Sequence, residues 1–430
     1  MSALVCTLGV FVLILILARL RLPLALSITA GVVLVGFLFG LDSYRIGLEV
    51  LAGIIQPRTV GLVVITMLLL GLSAIMQSSG QLGEIVSLAK LLLRRPSFAM
   101  VVLPALIGLL PMPGGALFSA PMVESAATGG RVNGSVLSAI NYWFRHIWEH
   151  WWPLYPGVIL AMTLTGFSYG RFALFQIPLG IFMVFTGLLL FRRIHPDLHV
   201  KSASPPVGTK RKFLLATSSI WIIMLVWAPA KYIVSLLVLP LVPAGLESGM
   251  EKYLPLTVAL ITSIVWTAIL KHLKFSAVAK IFTRKSSCAM AGLVVSVMVF
   301  QYILNRVGAA GRIADELLEL RVPVVLVVVV LPFIAGMVTG LAVGFVGTSF
   351  PIVLALVTAL PNHGSIYPYV VLAYGFGHMG QMVSPLHLCH VVSNEYFKTG
   401  FADVYRRLLP TVSLNFALVV AYFVFLKMTV

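Results

Sequence analysis

Two segments of this chain hold most of the residues that could do chemistry. Residues 142–154 read YWFRHIWEHWWPL and residues 374–386 read YGFGHMGQMVSPL. At an offset of 232 residues, a tyrosine, a phenylalanine, a histidine, a proline and a leucine coincide, and the matched histidines are His146 and His378. Imidazole exchanges its proton near neutral pH, and its nitrogens also bind ligands. The repeated pattern therefore predicts a site for proton exchange or ligand binding that is built from both segments.

The same stretches carry further polar side chains, which are costly to place in a membrane and so indicate a functional site. The site residues predicted here are Asn141, His146, Glu149, His150, His378, Gln381, Ser384, His387, His390 and Asn394. For a single histidine, a hydrogen-bonded structural role is the alternative. Recurrence of the pair in both segments favours a role in lining the site.

Three of these residues also match a zinc-peptidase pattern. His146, Glu149 and His150 spell H-x-x-E-H, in which two histidines one helical turn apart hold zinc and the glutamate acts as a base. The repeat offers another explanation, because the first histidine recurs as His378 whereas the glutamate and the second histidine do not recur. An intramembrane zinc peptidase is therefore a remote alternative.

No metal site is expected from the cysteines. Cys6, Cys288 and Cys389 are scattered and odd in number, which does not suit a disulfide framework or a thiolate metal site. Cys389 lies in a polar stretch, and we interpret it as a small apolar filler.

Composition indicates what must position these segments. Hydrophobic residues make up 60% of the chain and charged residues 10%, whereas a soluble globular protein has roughly 25% charged residues. A membrane-spanning helix needs about 20 apolar residues. Runs suited to helices lie at 3–18, 23–41, 60–77, 133–165, 172–191, 213–230, 254–270, 289–305, 365–397 and 408–426. The sequence therefore predicts an all-α polytopic membrane protein.

Two further apolar runs, 97–127 and 322–360, are too long for one span and contain glycines near their middle. We interpret them as re-entrant hairpins, since a broken helix in a membrane must be buried in protein or line a cavity. Close helix packing through small residues is the alternative. The residues expected near the two tips, and expected to bind substrate or ion, are Pro111, Gly114, Gly115, Ser119, Thr339, Gly340, Gly344, Thr348 and Ser349.

The repeat divides the chain into two halves. Each half is predicted to hold five spans and one hairpin, an odd number of crossings, so the second half would be inverted relative to the first. The predicted divisions are a first repeat at 1–191 with a hairpin at 97–127 and a broken helix at 133–165, a cytoplasmic linker at 192–212, and a second repeat at 213–430 with a hairpin at 322–360 and a broken helix at 365–397.

The net charge of +17 is accounted for by its distribution along the chain. Twenty of the thirty lysines and arginines fall in one set of predicted loops, nine fall in the other, and Arg145 alone lies within a span. The richer side is cytoplasmic by the positive-inside rule, which predicts a cytoplasmic-membrane protein with both termini outside. Binding to nucleic acid is then not needed to explain the charge.

Two strings carry a family resemblance, PMPGGALFSAPMV at 111–123 and SPLHLCHVVSNEYF at 384–397. With a hairpin and a broken span in each half, the chain resembles the ion transporter superfamily of secondary carriers. More closely, the strings look like the integral membrane family called domain of unknown function 401. The resemblance implies an inverted-repeat fold and often a dimer. The tips lack the Ser-Asn-Thr triplet that divalent-anion symporters carry.

The predicted function is secondary active transport of a small anion, an organic acid, coupled to protons or sodium. Few acidic residues fall in the spans, whereas histidines, amides and the positive ends of half-helices suit an anion. A cation/proton antiporter that uses Glu149 is the alternative. No cofactor is expected beyond a coupling Na⁺ or H⁺, and the expected partners are the anionic solute, the lipid bilayer and a second copy of the chain.

Overall fold

The computed structural model describes residues 2–93, 96–112, 114–127, 132–193, 205–242, 247–320, 323–359 and 364–430. These residues form helices, and the described ranges contain no strand, which confirms the all-α prediction. In chain order the helices are α1 (Ala3–Arg19), α2 (Leu24–Leu38), α3 (Ser43–Ile55), α4 (Pro57–Ser78), α5 (Gln81–Leu92), α6 (Pro96–Gly108), α7 (Ala116–Ala126), α8 (Gly134–Arg145), α9 (Pro156–Thr165), α10 (Tyr169–Gly187), α11 (Thr209–Ala216), α12 (Ser218–Ile233), α13 (Glu247–Leu270), α14 (Phe275–Phe282), α15 (Lys285–Arg306), α16 (Ala309–Glu319), α17 (Val324–Thr339), α18 (Ala342–Ala359), α19 (Tyr367–Met382), α20 (Leu388–Tyr396) and α21 (Phe401–Thr429).

Several of these helices are long and apolar enough to cross a membrane. Among the described residues they are Pro57–Ser78, Tyr169–Phe191, Ser218–Leu241, Met250–Leu270, Ser287–Arg306 and Phe401–Thr429. Helices α1 and α2 are apolar but shorter. The chain is a multi-pass membrane protein.

Helices follow one another in the same order in the two halves of the chain. Helices α2 to α10 correspond one to one with α13 to α21, and α4 and α15 are both 22 residues long at an offset of 228 residues. Contacts between the halves also come in matched pairs, since α2 packs on α15 as α4 packs on α13. This order supports the predicted division into two repeats, which itself stays a prediction.

Both overlong apolar runs are broken near the predicted positions, and the two helices of each run pack against each other. The first break, between α6 and α7, contains Gly114 with φ +68°, and the second contains Gly340 with φ +62°. Glycine adopts this left-handed backbone without the strain that a Cβ brings. The sequence predicted the second break within 338–349, and the structure places it at Gly340 and Leu341, between α17 and α18. Gly344 lies inside α18 instead.

Two breaks also interrupt the repeated polar segments. Helix α8 gives way to turns at 146–155 before α9, and α19 gives way to a short irregular stretch at 383–387 before α20. Helices α8 and α19 each pack closely on the hairpin of their own half. A Cβ on Gly108 would collide with the carbonyl oxygen of Arg145, and a Cβ on Gly336 would collide with that of Gly377. These matched contacts hold each broken helix against the hairpin of its own half.

Four shorter helices were not among the predicted apolar runs. Helices α3, α5, α14 and α16 carry charged residues beside their apolar ones, so hydropathy alone does not find them. Of the predicted linker, residues 194–204 lie outside the described residues, and its end is already helical from Thr209. Pro113, beside the first hairpin tip, also lies outside the described residues.

Candidate functional site

The four backbone breaks surround one cavity with a volume of about 140 Å³. Hairpin tips and broken helices from both halves contribute to its wall. The lining residues are Leu70, Pro111, Met112, Gly114, Arg145, His146, Glu149, Tyr155, Pro156, Gly157, Met290, Leu341, Ala342, Val343, Gln381, His387, Leu388 and Cys389. A pocket of this kind, at the meeting of broken helices, is where such folds place a small ligand.

Helix N-termini converge on this cavity. Its wall includes the first two residues of α9, of α18 and of α20, and Gly114 just before α7. The backbone N–H groups of a first helical turn have no partner within the helix, and they carry a partial positive charge. The cavity therefore gathers four positive helix ends, two from each half.

Arg145, the last residue of α8, adds a full positive charge. Its side chain is 3% exposed, and its Nη2 donates to the carbonyl oxygen of Met112 at 2.7 Å. Its Nε and Nη1 have no hydrogen-bond partner among the described residues. A Cβ on Gly115 would collide with the guanidinium, so glycine at the hairpin tip makes room for it. Buried donors without partners indicate an acceptor that comes from a ligand.

Glu149 lies at the junction of the two halves. Its Oε2 accepts a hydrogen bond from Gln381 Nε2 at 2.7 Å and lies 3.5 Å from His378 Nε2. Its Oε1 lies 3.8 Å from His146 Nε2. The carboxylate therefore lies between one histidine of each half, His146 and His378.

The remaining predicted histidines differ in position. His387 lines the cavity, and its ring lies 4.7 Å from the ring of His146, with an angle of 83° between the ring planes. His150 packs against His378 with 4.1 Å between ring centroids, and His390 stacks on Tyr142 at 4.6 Å. Neither His150 nor His390 is in the cavity wall. In both, the ring nitrogens lack a hydrogen-bond partner within the described ranges.

The two predicted asparagines, Asn141 and Asn394, fasten the halves together and are not in the cavity wall. Asn141 Nδ2 donates to Ser393 Oγ at 2.8 Å and to the carbonyl oxygen of Ala116 at 3.1 Å. Asn394 Oδ1 accepts from Ser138 Oγ at 2.6 Å. These bonds connect α8 of the first half to α20 of the second, and both helices carry residues of the cavity wall.

The hydroxyls predicted at the hairpin tips, and that of Ser384 in the second broken helix, bond to nearby backbone carbonyls. The Oγ atoms of Ser349 and Ser384 donate to the carbonyl oxygens of Phe345 and Met337, both at 2.6 Å. Ser119, Thr339 and Thr348 also donate within their own helices. Their acceptors are the carbonyl oxygens of Ala116, Ala335 and Gly344, respectively. None of the five lines the cavity, so the structure gathers there Pro111, Gly114, His146, Glu149, Gln381 and His387 of the predicted set, with Gly115 and Gly340 packed just behind.

Sequence reasoning missed most of the apolar cavity wall and also two residues that could bind a ligand, Arg145 and Cys389. Arg145 was set aside in the charge count, although a lone arginine inside a span is itself a signal of function. Cys389 was interpreted as a filler, yet one ligand atom from each of His146, His387 and Cys389 lies within 4.8 Å of the other two. Only the fold brings the thiol to the first histidine, because the two are 243 positions apart in the chain.

The residues of the zinc-peptidase pattern do not have the helical geometry that zinc binding by this pattern requires. Helix α8 ends at Arg145, and residues 146–151 form turns, so His146 and His150 do not lie one turn apart on a helix. His150 points to His378 and away from the cavity wall.

Comparison with known proteins places this architecture. The chain is similar to the crystal structure of the YdaH transporter of Alcanivorax borkumensis, described as having an unusual topology, with a TM-score of 0.55 and 17% sequence identity. The similarity covers 91% of this chain and 90% of that one, and it shows the fold of a membrane transporter. No curated protein sequence matches the chain.

A family model matches residues 1–204 and 228–426, nearly the whole chain. The resemblance seen in the two sequence strings is thereby confirmed. This chain belongs to the family described as protein of unknown function DUF401.

Proposed function

We propose that this protein is a secondary active transporter of a small anion, an organic acid, coupled to protons or to sodium. The observation that carries the proposal is the cavity at the junction of the halves, where four helix N-termini meet the buried guanidinium of Arg145. Neither feature alone would identify a substrate. Together they place fixed positive charge beside a partly open cavity suited to a small solute.

The charge balance favours an anion over a neutral solute. Two of the guanidinium's three nitrogens lack a hydrogen-bond partner in the described part of the chain, and leaving such donors unsatisfied costs about 1–3 kcal/mol each. A carboxylate oxygen can accept from these donors, and a hydrogen bond between two charged groups is stronger than one between neutral groups. An anionic ligand would therefore complete the site.

Glu149 and its two histidine neighbours support proton coupling. The carboxylate lies within 3.8 Å of His146 Nε2 and 3.5 Å of His378 Nε2, so a proton could pass between groups of the two halves. Binding of an anion next to Arg145 changes the potential at these groups. Anion and proton would then favour each other's binding, which is the thermodynamic requirement of a symporter.

The same contacts give the second candidate its support. A buried carboxylate between two histidines could also hold a cation in exchange for protons, as a cation/proton antiporter requires. The two functions differ in which solute stabilises the protein, since the antiporter must bind a cation in competition with protons and the symporter must bind an anion.

The placement of the chain in the membrane is part of the proposal. We place it in the cytoplasmic membrane with both termini outside, the second half inverted relative to the first, and the hairpins entering as re-entrant loops. The matched helix order of the two halves supports this arrangement, as do the two hairpin tips that meet at one cavity. A homodimer within the bilayer is the expected assembly.

The test is a thermal-shift screen of the purified protein in detergent, because a ligand stabilises the state that it binds. The panel contains monocarboxylates, dicarboxylates, inorganic anions and monovalent cations, each at several pH values. We expect an organic acid to raise the unfolding temperature, and its uptake into proteoliposomes to follow an imposed proton or sodium gradient. Stabilisation by cations alone would overturn the anion proposal in favour of the antiporter.

A further inference from the structure

We propose that His146, His387 and Cys389 form a binding site for one zinc-class divalent cation, which bridges the two halves of the protein. The three side chains are buried, with exposures of 1%, 5% and 5%. One ligand atom from each lies within 4.8 Å of the others. The sequence alone suggested zinc only through the H-x-x-E-H pattern, because the three ligands proposed here come from segments far apart in the chain.

Both histidines are oriented as metal ligands are. His146 Nδ1 lies 2.6 Å from the carbonyl oxygen of Tyr142, and His387 Nδ1 lies 3.4 Å from that of Gln381. A ring whose Nδ1–H donates to a carbonyl presents Nε2 as a free lone pair, and ligating histidines commonly have this second partner. The backbone therefore fixes the tautomer that a metal needs.

The three ligands are of the types that zinc prefers, and the distances between their ligand atoms are close to those of a zinc site. Zinc takes thiolate and imidazole ligands in tetrahedral geometry, with ligand atoms about 3.3–3.8 Å apart. Side-chain rotations that move the ligand atoms about 1 Å closer together would reach that spacing. Glu149 Oε1 lies 3.8 Å from His146 Nε2 but is outside the group of three, so the carboxylate supplies negative charge beside the ion and is not counted as a ligand.

Charge also fits such an ion. A dication with one thiolate and the Glu149 carboxylate makes a neutral set, which is easier to bury than a net charge. The guanidinium of Arg145 lies beside the Cys389 thiol, and an anion bound to the guanidinium would offset its repulsion of the dication. The metal site and the proposed anion site can thus occupy one cavity.

The ligands come from both halves, so a bound ion would act mechanically. His146 follows α8 in the first half, whereas His387 and Cys389 lie at the start of α20 in the second. An ion held by all three would resist any motion that separates these elements. Occupancy would then stabilise the protein against heat, and it would slow transport.

The experiment uses purified protein from which any affinity tag has been removed. Cobalt(II) replaces zinc as a spectroscopic probe, because a thiolate ligand gives a charge-transfer band in the near ultraviolet. We expect one cobalt per chain, displaced by zinc, with the band abolished in Cys389→Ser and retained in Cys288→Ser, whose cysteine is exposed. His387→Ala should lower the affinity about 100-fold, by comparison with the 10–100-fold effect of losing a second-shell partner.

His150→Ala is the matched control, since that histidine is buried nearby but is not in the cluster. It should bind cobalt as the wild type does. Loss of the metal in His150→Ala to the same degree as in His387→Ala would overturn the proposed ligand set in favour of the H-x-x-E-H pattern. Wild-type protein that binds no cobalt, or a band that persists in Cys389→Ser, would overturn the site itself.

A second measurement covers variants that fold poorly. With Cys6 and Cys288 replaced by serine, Cys389 is the one remaining thiol. Zinc should slow its alkylation by a small maleimide, and equal rates with and without zinc would contradict the proposal. These experiments need no substrate or gradient, so their outcome is independent of whether the protein transports an anion.

Discussion

The hydroxyl of Tyr374 donates a hydrogen bond to the backbone carbonyl oxygen of Glu149 at 2.7 Å. The matched tyrosine of the first half, Tyr142, makes the reciprocal contacts, at 3.4 Å to the carbonyl oxygen of Gln381 and at 3.2 Å to that of Met382. Gln381 is the residue that matches Glu149 at the offset of 232. Contacts that exchange places between two copies are what a twofold relation produces. The repeated tyrosines thus fasten each broken helix to the opposite half.

The first prediction concerns Arg145. Arg145→Gln should weaken binding of the stabilising anion by about 10–100-fold, because hydrogen bonds to charged groups contribute about 1.5–3 kcal/mol. Arg145→Lys should recover only part of that loss, since an ammonium lacks the fixed planar arrangement of donors of a guanidinium. Affinity is measured by calorimetry in detergent. Arg406→Gln, at an exposed arginine, is the control and should bind normally. Equal affinity in all three variants would remove Arg145 from the site.

The second prediction separates coupling from binding. Glu149→Gln should leave anion binding largely intact and flatten its pH dependence, because the variant keeps an amide next to Gln381 but cannot titrate. His387→Ala, which removes a histidine of the cavity wall, should weaken binding at every pH. Affinity is measured between about pH 5.5 and 8.5, the range in which histidine changes charge. A pH profile unchanged by Glu149→Gln would leave sodium as the coupling ion.

The third prediction concerns the tip of the second hairpin. At Gly340 a Cβ would lie 2.9 Å from the backbone nitrogen of His387, and φ is +62°, which costs an L-residue about 1–2 kcal/mol. Gly340→Ala should therefore insert into the membrane but lose transport. Gly47→Ala, in helix α3 with no atom within 4 Å of the added carbon, is the matched control. If the two variants transport alike, the tip is not held against the broken helix.

The fourth prediction is a pH effect away from the membrane spans. Glu316 accepts hydrogen bonds from the Ser2 hydroxyl and from the backbone nitrogens of Ala3 and Leu4, at 2.6 and 2.8 Å for the last two. These donors, the Ser2 hydroxyl first, lower the pKa of Glu316 below its ordinary value. A lowered pKa contributes stability that is present above the unfolded-state pKa and is lost as the pH falls through the folded-state pKa.

Glu316→Gln should therefore lower the unfolding temperature near pH 7, and the difference from wild type should shrink toward about pH 3. Glu319→Gln, at an exposed position of the same helix, should change little at either pH. If the difference in unfolding temperature between Glu316→Gln and wild type stays constant with pH, the charge of Glu316 beside the start of α1 does not contribute to stability.

The fifth prediction tests the orientation in the membrane. In a cysteine-free background, Val207→Cys lies just before α11 on the expected cytoplasmic side, and Met428→Cys lies near the end of α21 on the expected outer side. Both positions are exposed, so a reagent can reach them. An impermeant maleimide added to intact cells should label only Met428→Cys. Labelling of Val207→Cys alone would reverse the topology.

Periodicity and repetition in the sequence were enough to predict the helical class, the four backbone breaks and the histidine at each polar break. These features depend on local composition, such as the glycines of the hairpins, and so they can be seen in one dimension. Cys389 could not be assigned this way, because its neighbours His146 and His387 reach it only after the halves pack. Thr348 and Ser349 were expected at the cavity, but their hydroxyls are bonded within α18, and the sequence does not show which face of that helix is turned inward.

Under the predicted duplication, the hydrogen bond between Glu149 and Gln381 has a consequence for how the two halves would have diverged. The two residues occupy equivalent positions and contact each other, with 2.7 Å between Nε2 and Oε2, so each is the neighbour of its own copy. In an ancestor with identical halves, this position would have faced two glutamates or two glutamines toward one another. Two carboxylates at that distance cannot both be ionised. A substitution in one copy alone removes the repulsion and leaves a single titratable group, so the asymmetry that coupling needs can begin with one change at the junction.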